Sequence, residues 1–503
     1  LNKALVAVDN KPVISHVIEK FPKHVEIVVA LGHKSETLKQ YLSTAHSDRN
    51  ITFVEISNYC QPGSGLGLTI LECKQHLQCP FIFCPNDTIV EENIPEPTNN
   101  WVGYSKTTDG SHYRTLTLNN TGQVSCINEK DDTFDREVPA YIGLAGISDY
   151  GLFWDMMENG KAYGSIKIGE SYAITKMIEE SVKFNSIDFT WHDVGNLQSL
   201  KTTREQKTKK DSPEILEKQG EAIWFVNDRV IKYSEDLEFI KNRVKRASKL
   251  KGFVPEIIQQ TDNMYAYREI TGQVLSKVSN HVVFGEFVKY LKSFWDLGNT
   301  TVDDLNFEQT CMEFYKTKTF KRIALYFDRF SEKDSEEIVN GTVMPPLYDL
   351  LDKVDWVQLS KGTAVRFHGD LHFENILLSE TGDFYLLDWR QDFAGSIHYG
   401  DIYYDLAKLM HGLIVSHQLI NESQYKVSWE SNNINFELKR FQKDVDFEHF
   451  FVEWSIKNNY DVKKIRILTA LIYLNIAPLH HLPYNYLLFA LGKLMLKREL
   501  EKE

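Results

Sequence analysis

Short apolar strands alternate with amphipathic helices along the first two hundred residues. Runs rich in β-branched or aromatic residues cover 25–31, 51–56 and 81–84, and each is short enough to be a strand. Between them, 34–42 and 66–77 carry apolar residues at helical spacing. This order predicts an α/β domain with a mostly parallel sheet, in which ligands bind beyond the carboxyl ends of the strands.

The pattern changes after the first two hundred residues. Residues 201–217 are charged, contain Pro213 and lack an apolar period, which predicts a boundary between domains. Two apolar runs then flank Asn227-Asp228 and predict a β-hairpin.

The remainder of the chain is mostly helical in pattern. Apolar residues between Phe284 and Trp295 recur every three to four positions, which predicts a helix packed against a core. The apolar stretch at 465–496 contains Pro478 and Pro483, so it predicts buried helices rather than a membrane span. We expect four segments: a first domain at 1–205, a linker at 206–216, a small lobe at 217–275 and a helical lobe at 276–503.

Composition limits the classes of function. The 503 residues carry a net charge of −13, which argues against nucleic acid as the main partner because a surface that binds phosphates is basic. The hydrophobic fraction of 42% is typical of folded globular proteins. The six cysteines show no Cys-x-x-Cys pair and no spacing typical of zinc sites, so we expect free thiols in a reducing cytoplasm.

One stretch of the helical region combines the groups that phosphoryl transfer needs. An apolar strand leads into His368-Gly369-Asp370, Asn375 follows, and a second apolar strand ends at Asp388. One carboxylate can orient an attacking hydroxyl and accept its proton, while an amide and a second carboxylate can hold Mg²⁺ on the phosphates of a nucleotide. The sequence therefore predicts a kinase.

The full string resembles a known group of kinases. His-Gly-Asp-Leu-His-x-x-Asn-Ile-Leu, followed by Leu-Leu-Asp-Trp and by the segment 400–407, resembles the aminoglycoside phosphotransferase and choline kinase group of small-molecule kinases. The resemblance implies a two-lobed, protein-kinase-like (α+β) domain. It makes Asp370 the catalytic residue, Asn375 and Asp388 the metal ligands, and His372 a residue that contacts the acceptor.

The same resemblance implies an ATP site in the small lobe. Lys232 takes the place of the lysine that contacts the α- and β-phosphates. The backbone of Glu269 and Ile270 would meet the adenine at the hinge between the lobes. The sequence departs from the pattern because no Gly-x-Gly-x-x-Gly loop precedes Lys232.

Loops of the first domain carry a second set of charged groups. Attack of a phosphate monoester on the α-phosphate of an NTP brings two anions together, so lysines and Mg²⁺ must offset their repulsion. Six parts of the domain, in chain order, resemble the sugar-1-phosphate nucleotidylyltransferases: 3–14, 61–67, 86–87, 127–130 with 141–144, 169–175 and 191–197.

This second resemblance implies roles for particular residues. Lys3 and Lys130 would be catalytic, because they neutralise the phosphates of the NTP and of the acceptor. Asp87 and Asp193 would be ligands of Mg²⁺. The remaining four would contact the two substrates: Gln61 and Gly65 the nucleobase, Gly143 the sugar phosphate and Glu170 the hydroxyls of the sugar.

The first domain also departs from its pattern. Asn2 and Lys176 replace a proline and an aspartate, and the second replacement leaves the identity of the sugar open. The Gly-x-Gly-x-x-Arg loop that wraps the NTP does not occur before Lys3. We expect this loop in residues upstream of Leu1, and the alternative is a domain that has lost it.

A kinase makes a phosphate monoester and a nucleotidylyltransferase consumes one, so the two resemblances share an intermediate. They imply a cytoplasmic bifunctional enzyme that phosphorylates a small molecule with ATP and Mg²⁺ and then joins the product to a nucleotide from CTP, UTP, GTP or dTTP. We expect a sugar phosphorylated at its anomeric position, for the biosynthesis of capsule, lipopolysaccharide or another surface glycan.

Two alternatives stay open. The first is a choline or ethanolamine kinase fused to a CTP-dependent cytidylyltransferase, with cation–π contacts from Trp389, Tyr399, Tyr403 or Tyr404. The second is an active kinase with a non-catalytic nucleotidyltransferase-like module. A monomer and a homo-oligomer are both compatible with the sequence.

Overall fold

A computed structural model describes residues 1–61, 63–108, 111–130, 136–209, 213, 218–297 and 302–502. Much of the predicted linker at 206–216, and Pro62 in the predicted base-recognition loop, lie outside these residues. The chain divides into two compact units, the first Leu1–Asp236 with Gln259–Glu269 and the second Leu237–Ile258 with Ile270–Glu503. Strands of the predicted small lobe thus group with the first unit, and the predicted domain limits stay a prediction.

The first unit is an α/β structure. Its strands are β1 (Ala7–Val8), β2 (Lys11–Pro12), β3 (Ile27–Leu31), β4 (Ile51–Glu55), β5 (Phe81–Phe83), β6 (Thr88–Val90), β7 (Trp101–Thr107), β8 (Thr115–Leu118), β9 (Val124–Asn128), β10 (Val138–Ile147), β11 (Asn185–Asp188), β12 (Trp191–Asp193), β13 (Glu221–Val226) and β14 (Arg229–Ser234), with β15 (Ile257–Gln260) in part and β16 (Met264–Arg268). Its helices are α1 (Val13–Ile18), α2 (Ser35–Ala45), α3 (Leu66–Glu72), α4 (Tyr150–Asn159), α5 (Ser165–Ile168), α6 (Glu170–Glu179) and α7 (Leu197–Lys207).

The larger sheet of the first unit is mainly antiparallel, so the prediction of a mostly parallel sheet is wrong. Strand β10 pairs antiparallel with β5, β7 and β8, and β8 pairs antiparallel with β9. Parallel pairs join β3 to β4 and β7 to β11. The strand–helix–strand rhythm ends after β5, and β7 to β10 follow one another without a helix. Short connections join antiparallel strands, whereas a parallel pair needs a crossover of about a dozen residues or more.

A hairpin from the predicted small lobe shares a hydrophobic core with the start of the chain. Strands β13 and β14 pair antiparallel across Asn227-Asp228, and both turn residues have positive φ, as a tight hairpin turn requires. The Trp224 ring packs edge-on against Tyr41 of α2, with ring centroids 4.9 Å apart. The same buried cluster contains Leu5, Leu31, Leu42, Ile231 and Ala266. The hairpin therefore helps to form the core of the first unit.

The second unit is mostly helical. Its helices are α8 (Leu237–Lys249), α9 (Leu275–Val278), α10 (His281–Trp295), α11 (Asp304–Met312), α12 (Lys318–Phe330), α13 (Leu347–Asp352), α14 (Trp356–Ser360), α15 (Ile402–Ile414), α16 (His417–Asn421), α17 (Gln442–Lys457), α18 (Val462–Ile476) and α19 (Tyr484–Leu500). Its strands are β17 (Gly272–Val274), β18 (Glu337–Val339), β19 (Thr342–Met344), β20 (Ala364–Val365), β21 (Ile376–Ser379), β22 (Phe384–Leu386), β23 (Gly400–Asp401), β24 (Tyr425–Glu430) and β25 (Asn433–Leu438).

The helix predicted from the aromatic pattern is α10. Its N-cap residue Asn280 accepts hydrogen bonds from the amides of Val282 and Val283. The side chains at the predicted inward positions, from Phe284 to Trp295, are all buried. The apolar stretch near the C-terminus forms α18 and α19, and within the described ranges no helix combines the length and the apolar character that a membrane span requires.

Replacing Trp224 with alanine tests the shared core. Trp224 is 1% exposed, so we expect Trp224→Ala to lower the free energy of unfolding of the first unit by about 3 to 5 kcal/mol. Phe225→Ala is the control, because Phe225 alternates to the other face of β13 and is partly exposed. Urea unfolding followed by circular dichroism measures both variants. If both variants lost the same free energy of unfolding, the inward-facing side chains of the hairpin would not be part of the core.

Candidate functional site

A buried carboxylate holds the loop that carries Asp370. Asp405, on α15, accepts hydrogen bonds from the backbone amides of His368 at 2.8 Å and Gly369 at 2.7 Å, and from the Trp295 indole at 3.0 Å. Burial raises the pKa of Asp405 to about 6, and these donors limit the rise. Gly369 has a φ of +85°, and a Cβ there would lie 2.6 Å from Cβ of Arg390. The loop therefore requires glycine at this position.

The His368 ring connects this loop to the strand end before Asp388. Its Nε2 lies 2.8 Å from the carbonyl oxygen of Leu387, and the amide of Asp370 lies 3.2 Å from its Nδ1. These partners assign the proton to Nε2 and leave Nδ1 as the acceptor. Burial lowers the pKa of His368 to about 3, so the ring is neutral near pH 7.

Asp370 lies between a cation and an amide. Its Oδ1 is 2.7 Å from Nζ of Lys408, and its Oδ2 is 3.3 Å from Nδ2 of Asn375. Burial alone would raise the pKa of Asp370, but Lys408 and then His372 hold it well below its usual range. A carboxylate with a low pKa is a weak base, so Asp370 is suited to orient a hydroxyl and to take its proton only as the reaction proceeds. The side chain is 40% exposed and can be reached by a substrate.

Asn375 and Asp388 present oxygen atoms of the kind that Mg²⁺ prefers. The amide of Leu387 donates to the carbonyl oxygen of Asn375 at 2.7 Å, which places the two predicted ligands side by side. The Asn375 side chain donates through Nδ2 to the carbonyl oxygen of Asp370 at 2.9 Å, so its Oδ1 faces away from that bond. Arg243, on α8, forms an ion pair of 2.7 Å with Asp388. The donor set fits a bound Mg²⁺.

His372 lies beside the same carboxylate. Its Nε2 is 3.8 Å from Oδ2 of Asp370 and 3.1 Å from Nδ2 of Asn375. The centroid of its ring is 4.7 Å from that of His417. The structure thus brings His372 together with Asp370 and Asn375, and its contact with an acceptor stays a prediction.

Three residues of this site were missed by the sequence analysis. Asp405 lies inside the segment 400–407 that carried the resemblance, and Lys408 follows three residues later on the same face of the helix. That spacing was a usable signal for both. Arg243 offered none, because it precedes Asp388 by 145 residues.

Three predicted residues of the first unit come together near β6 and β12. Nζ of Lys3 is 2.7 Å from Oδ2 of Asp87. Strands β6 and β12 pair antiparallel with Asp193 opposite Thr88, which places Asp87 next to Asp193. A Cβ built on Gly195 would lie 2.9 Å from Oδ1 of Asp193 and 3.6 Å from Oδ2 of Asp87. The two carboxylates therefore flank a small cradle that the missing side chain of Gly195 leaves open.

The cradle has the chemistry of a Mg²⁺ site. Two carboxylates with phosphate oxygens and water are a usual coordination set for this ion. In the part of the chain that the structure describes, no group of three or more His, Cys, Asp or Glu side chains could hold a metal ion alone. The Tyr113 hydroxyl donates to Oδ2 of Asp193 at 2.9 Å and helps to orient it.

Glu170 is a buried acid at the start of α6. The Tyr141 hydroxyl donates to its Oε1 at 3.0 Å, and its buried Oε2 has no hydrogen-bond partner among the described residues. Burial raises the pKa of Glu170 to about 7. Gly143 lies two residues after Tyr141, in a stretch of β10 where the pairing register shifts, with a φ of +79°. These two predicted sugar contacts flank one tyrosine.

The other predicted residues of this site lie at its loops. A side chain at Gly65, just before α3, would collide with the carbonyl of Ile166, so the loop backbone packs closely against α5. Gln61 and Lys130 are exposed, and neither side chain forms a hydrogen bond with the other described residues. Their contacts with the nucleobase and the acceptor phosphate stay predictions.

Two of the three residues predicted to contact ATP, Glu269 and Ile270, lie at the boundary in the sequence between the first unit and the second. Lys232 is a buried residue of β14, opposite Ile223 and Tyr265 in the neighbouring strands. The chain passes from the first unit to the second between Glu269 and Ile270. The contacts of these three residues with ATP stay predictions.

Comparisons with known proteins identify the two parts of the chain separately. Residues 318–423 match the model of the phosphotransferase enzyme family, and this range contains Asp370, Asn375 and Asp388. The bifunctional protein GlmU of Methanococcus vannielii is 26% identical over 202 residues, which cover 38% of this chain and 47% of that protein. GlmU of Methanococcus maripaludis, strain S2, is 24% identical over 204 residues, which cover 39% and 46%. The chain thus spans about half the length of the curated relatives it matches.

Solved structures also align with about two fifths of the chain. The CTP:phosphocholine cytidylyltransferase LicC of Streptococcus pneumoniae has a TM-score of 0.34 at 14% identity and covers 41% of this chain and 89% of that one. HddC of Yersinia pseudotuberculosis has a TM-score of 0.32 at 15% identity and covers 41% and 90%.

The predicted fusion is confirmed. An N-terminal part similar to nucleotidyltransferases is joined to a C-terminal part that matches the phosphotransferase family. The match to the phosphotransferase family and the similarity to GlmU support the two predicted enzyme classes, a kinase and a nucleotidyltransferase.

The raised pKa of Glu170 predicts a pH-dependent stability. Between pH 4.5, the ordinary pKa, and about pH 7 the folded protein binds the proton more tightly than the unfolded chain, so stability falls as the pH rises through this window. Glu170→Gln should remove this loss and make the protein more stable at pH 8, by roughly 3 kcal/mol at most. Thermal and urea unfolding at pH 5 and pH 8 measure the effect.

Glu180→Gln is the matched control, because Glu180 ends the same helix in an exposed position. The control should keep the pH dependence of the wild type. A Glu170→Gln variant that also keeps it would contradict a buried carboxyl with a raised pKa.

Proposed function

We propose that this chain is a bifunctional enzyme that phosphorylates a small molecule with ATP and then joins the product to a nucleotide, releasing pyrophosphate. The observation that carries the proposal is that the fold brings the members of each predicted group of polar and charged residues together. Lys3, Asp87 and Asp193 meet in the first unit, and the catalytic loop in the second unit sets Asp370 beside Asn375, close to Asp388.

In the kinase reaction, the acceptor hydroxyl donates a hydrogen bond to Asp370 and attacks the γ-phosphate of ATP. The hydroxyl proton moves to the Asp370 carboxylate as the new P–O bond forms and the bond to ADP breaks. Lys408 keeps Asp370 ionised before the reaction. Asn375 and Asp388 would hold Mg²⁺, which neutralises charge on the phosphates of ATP.

The ATP site follows from the kinase resemblance. In the two-lobed arrangement that the resemblance implies, Lys232 contacts the α- and β-phosphates. The backbone at Glu269 and Ile270 meets the adenine. The buried position of Lys232 in β14 supports a fixed lysine rather than a mobile surface one.

In the nucleotidyltransferase reaction, the phosphate of the first product attacks the α-phosphate of an NTP. Lys3 lies against Asp87 and is placed to offset the charge of the NTP phosphates, while Lys130 meets the incoming phosphate monoester. Asp87 and Asp193 would hold Mg²⁺, which stabilises the charge of the departing pyrophosphate. The base of this NTP is cytosine, uracil, guanine or thymine.

We infer that the acceptor is a sugar, phosphorylated at its anomeric position. The buried Oε2 of Glu170 has no partner among the described residues and is suited to accept a hydrogen bond from a sugar hydroxyl. The choline and ethanolamine alternative has less support, because Trp389 is 1% exposed and its indole donates to the carbonyl oxygen of Arg243. Nucleotide sugars made in the cytoplasm for surface glycans are the setting that we propose.

Two substitutions test the assignment of the two sites. Asp370→Asn should lower the release of ADP from ATP and acceptor by about 100-fold or more, because the group that takes the proton is lost. It should leave pyrophosphate release from an NTP and a supplied sugar 1-phosphate unchanged. Asp193→Asn and Lys130→Ala should have the reverse effect. Coupled assays for ADP and for pyrophosphate measure the two reactions.

Asp349→Asn and Asp188→Asn are controls in the second and first units, because both side chains lie outside the two sites. Both controls should keep both activities. Loss of both activities in a folded Asp370→Asn or Asp193→Asn variant would contradict two separate sites.

A further inference from the structure

Four cations gather beside the catalytic carboxylate of the second unit. Lys408 contacts Asp370 directly, as described above. Nζ of Lys318 lies 4.2 Å from the centroid of the Phe314 ring, and the guanidinium of Arg390 lies 5.1 Å from the same centroid. Arg322 follows Lys318 by one turn of α12. We call these four residues the cation cluster.

The fold places the cation cluster against the loop of Asp370. The amide of Arg390 donates to the carbonyl oxygen of His368 at 2.9 Å, and its Cβ lies against Gly369. Phe314 belongs to a π-helical segment, Glu313–Thr317, that joins α11 to α12. Such irregular turns occur often at functional sites. Here the segment turns the Phe314 ring toward Arg390 and brings the start of α12 beside it.

A second ring links Lys318 to the helix of Lys408. The Phe314 ring meets Tyr404 edge-on with centroids 4.8 Å apart, and Nζ of Lys318 is 5.3 Å from the Tyr404 centroid. Tyr404 precedes Lys408 by about one turn of α15. Lys318 and Lys408 therefore approach the same region from two helices.

Lys408 and Asn375 contact different oxygens of Asp370. Oδ2 lies toward Asn375, whereas Oδ1 lies toward Lys408 of the cation cluster. In the proposed kinase reaction the acceptor hydroxyl must reach Asp370. An anion on the acceptor would therefore come close to Lys408 and the cations beside it.

Two members of the cation cluster, Lys318 and Arg322, have no anion in direct contact among the described residues. Among the residues that the structure describes, neither Lys318 nor Arg322 forms a hydrogen bond or an ion pair, although both side chains are partly buried. Burial, and then the charges of Arg390, Lys408 and Arg322, lower the pKa of Lys318 well below its usual range. Like charges gathered in a desolvated place are costly unless an anion joins them.

We propose that the cation cluster binds an anionic group, a phosphate or a carboxylate, on the acceptor that the kinase phosphorylates. The inference rests on the proposed kinase function and narrows its substrate to an acidic or already phosphorylated sugar. A cationic acceptor does not fit, because Lys318 already occupies faces of the Phe314 and Tyr404 rings that a quaternary amine would need.

Binding of inorganic phosphate tests the cation cluster without knowledge of the acceptor. Isothermal titration calorimetry is run with the full chain in the presence of excess Mg²⁺ and a non-hydrolysable ATP analogue, which fills the nucleotide sites. Lys318→Met and Arg322→Gln should each weaken phosphate binding by about tenfold, the usual worth of one charge-assisted hydrogen bond. Lys321→Ala is the control, because Lys321 lies on the same helix with a side chain 74% exposed. It should bind phosphate like the wild type.

Equal phosphate affinity in the wild type and in both folded variants overturns the proposal. A weaker affinity for the ATP analogue in the variants, with phosphate binding unchanged, also overturns it, because the cations would then serve the nucleotide. If one of the two variants does not fold, the phosphate affinity of the other variant decides the test.

A panel of acceptors identifies the source of the anion. ADP release is compared for a hexose, its 6-phosphate, the corresponding hexuronate and choline. The proposal predicts that the 6-phosphate or the hexuronate gives a kcat/KM at least about tenfold above the neutral hexose, and that Lys318→Met removes this advantage. A preference for the 6-phosphate indicates a phosphate, and a preference for the hexuronate indicates a carboxylate. A preference for the neutral hexose or choline overturns the proposal.

The two assays separate failure of this inference from failure of the kinase function. Phosphate binding that depends on Lys318, without ADP release from any acceptor, would reject the kinase and keep the anion site. ADP release with a neutral or cationic acceptor, without such binding, would keep the kinase and reject the anion site.

Discussion

The loop that carries Asp370 depends on the buried carboxylate of Asp405. Two consecutive backbone amides and one indole donate hydrogen bonds to it. Without this carboxylate, the three buried donors would lose their acceptor, which costs free energy. Arg246, which is 1% exposed, completes the arrangement by donating to the carbonyl oxygens of Phe367 and Arg390. The Asp405 carboxylate thus binds amides of the loop and the Arg246 guanidinium binds carbonyl oxygens beside it, and each charge favours the ionised form of the other.

Helix α15 carries both the residue that supports the loop and the residue that keeps Asp370 ionised. Asp405 fixes the backbone before Asp370, and Lys408, on the same face, contacts the Asp370 side chain. The position of the Asp370 carboxylate and its protonation state therefore both depend on one helix. The first unit uses the pairing of two strands instead, since the register of β6 and β12 brings Asp87 and Asp193 to one place. In both units, regular secondary structure holds charged side chains close together that would move apart on a flexible chain.

The residues of both candidate sites could be selected from the sequence because short local motifs contain them. The structure brings Asp370, Asn375 and Asp388 together, and it also brings Lys3, Asp87 and Asp193 together. Their catalytic and metal-binding roles stay predictions. The direction of the larger sheet was not predictable from strand–helix alternation, because that rhythm stops after β5. Lys318 and Arg243 were missed for a different reason. Lys318 reaches Tyr404, and Arg243 reaches Asp388, through tertiary contacts with residues far away in the sequence.

In the proposed function, one chain makes a phosphate monoester and then consumes it. Mass spectrometry can follow the products formed from Mg²⁺, ATP, the four other NTPs and a pool of free sugars, sugar acids and sugar phosphates. We expect a new phosphorylated sugar together with its nucleoside diphosphate derivative, both formed by the same protein. A phosphorylated product that accumulates without any nucleotide derivative, even when every NTP is present, would contradict it.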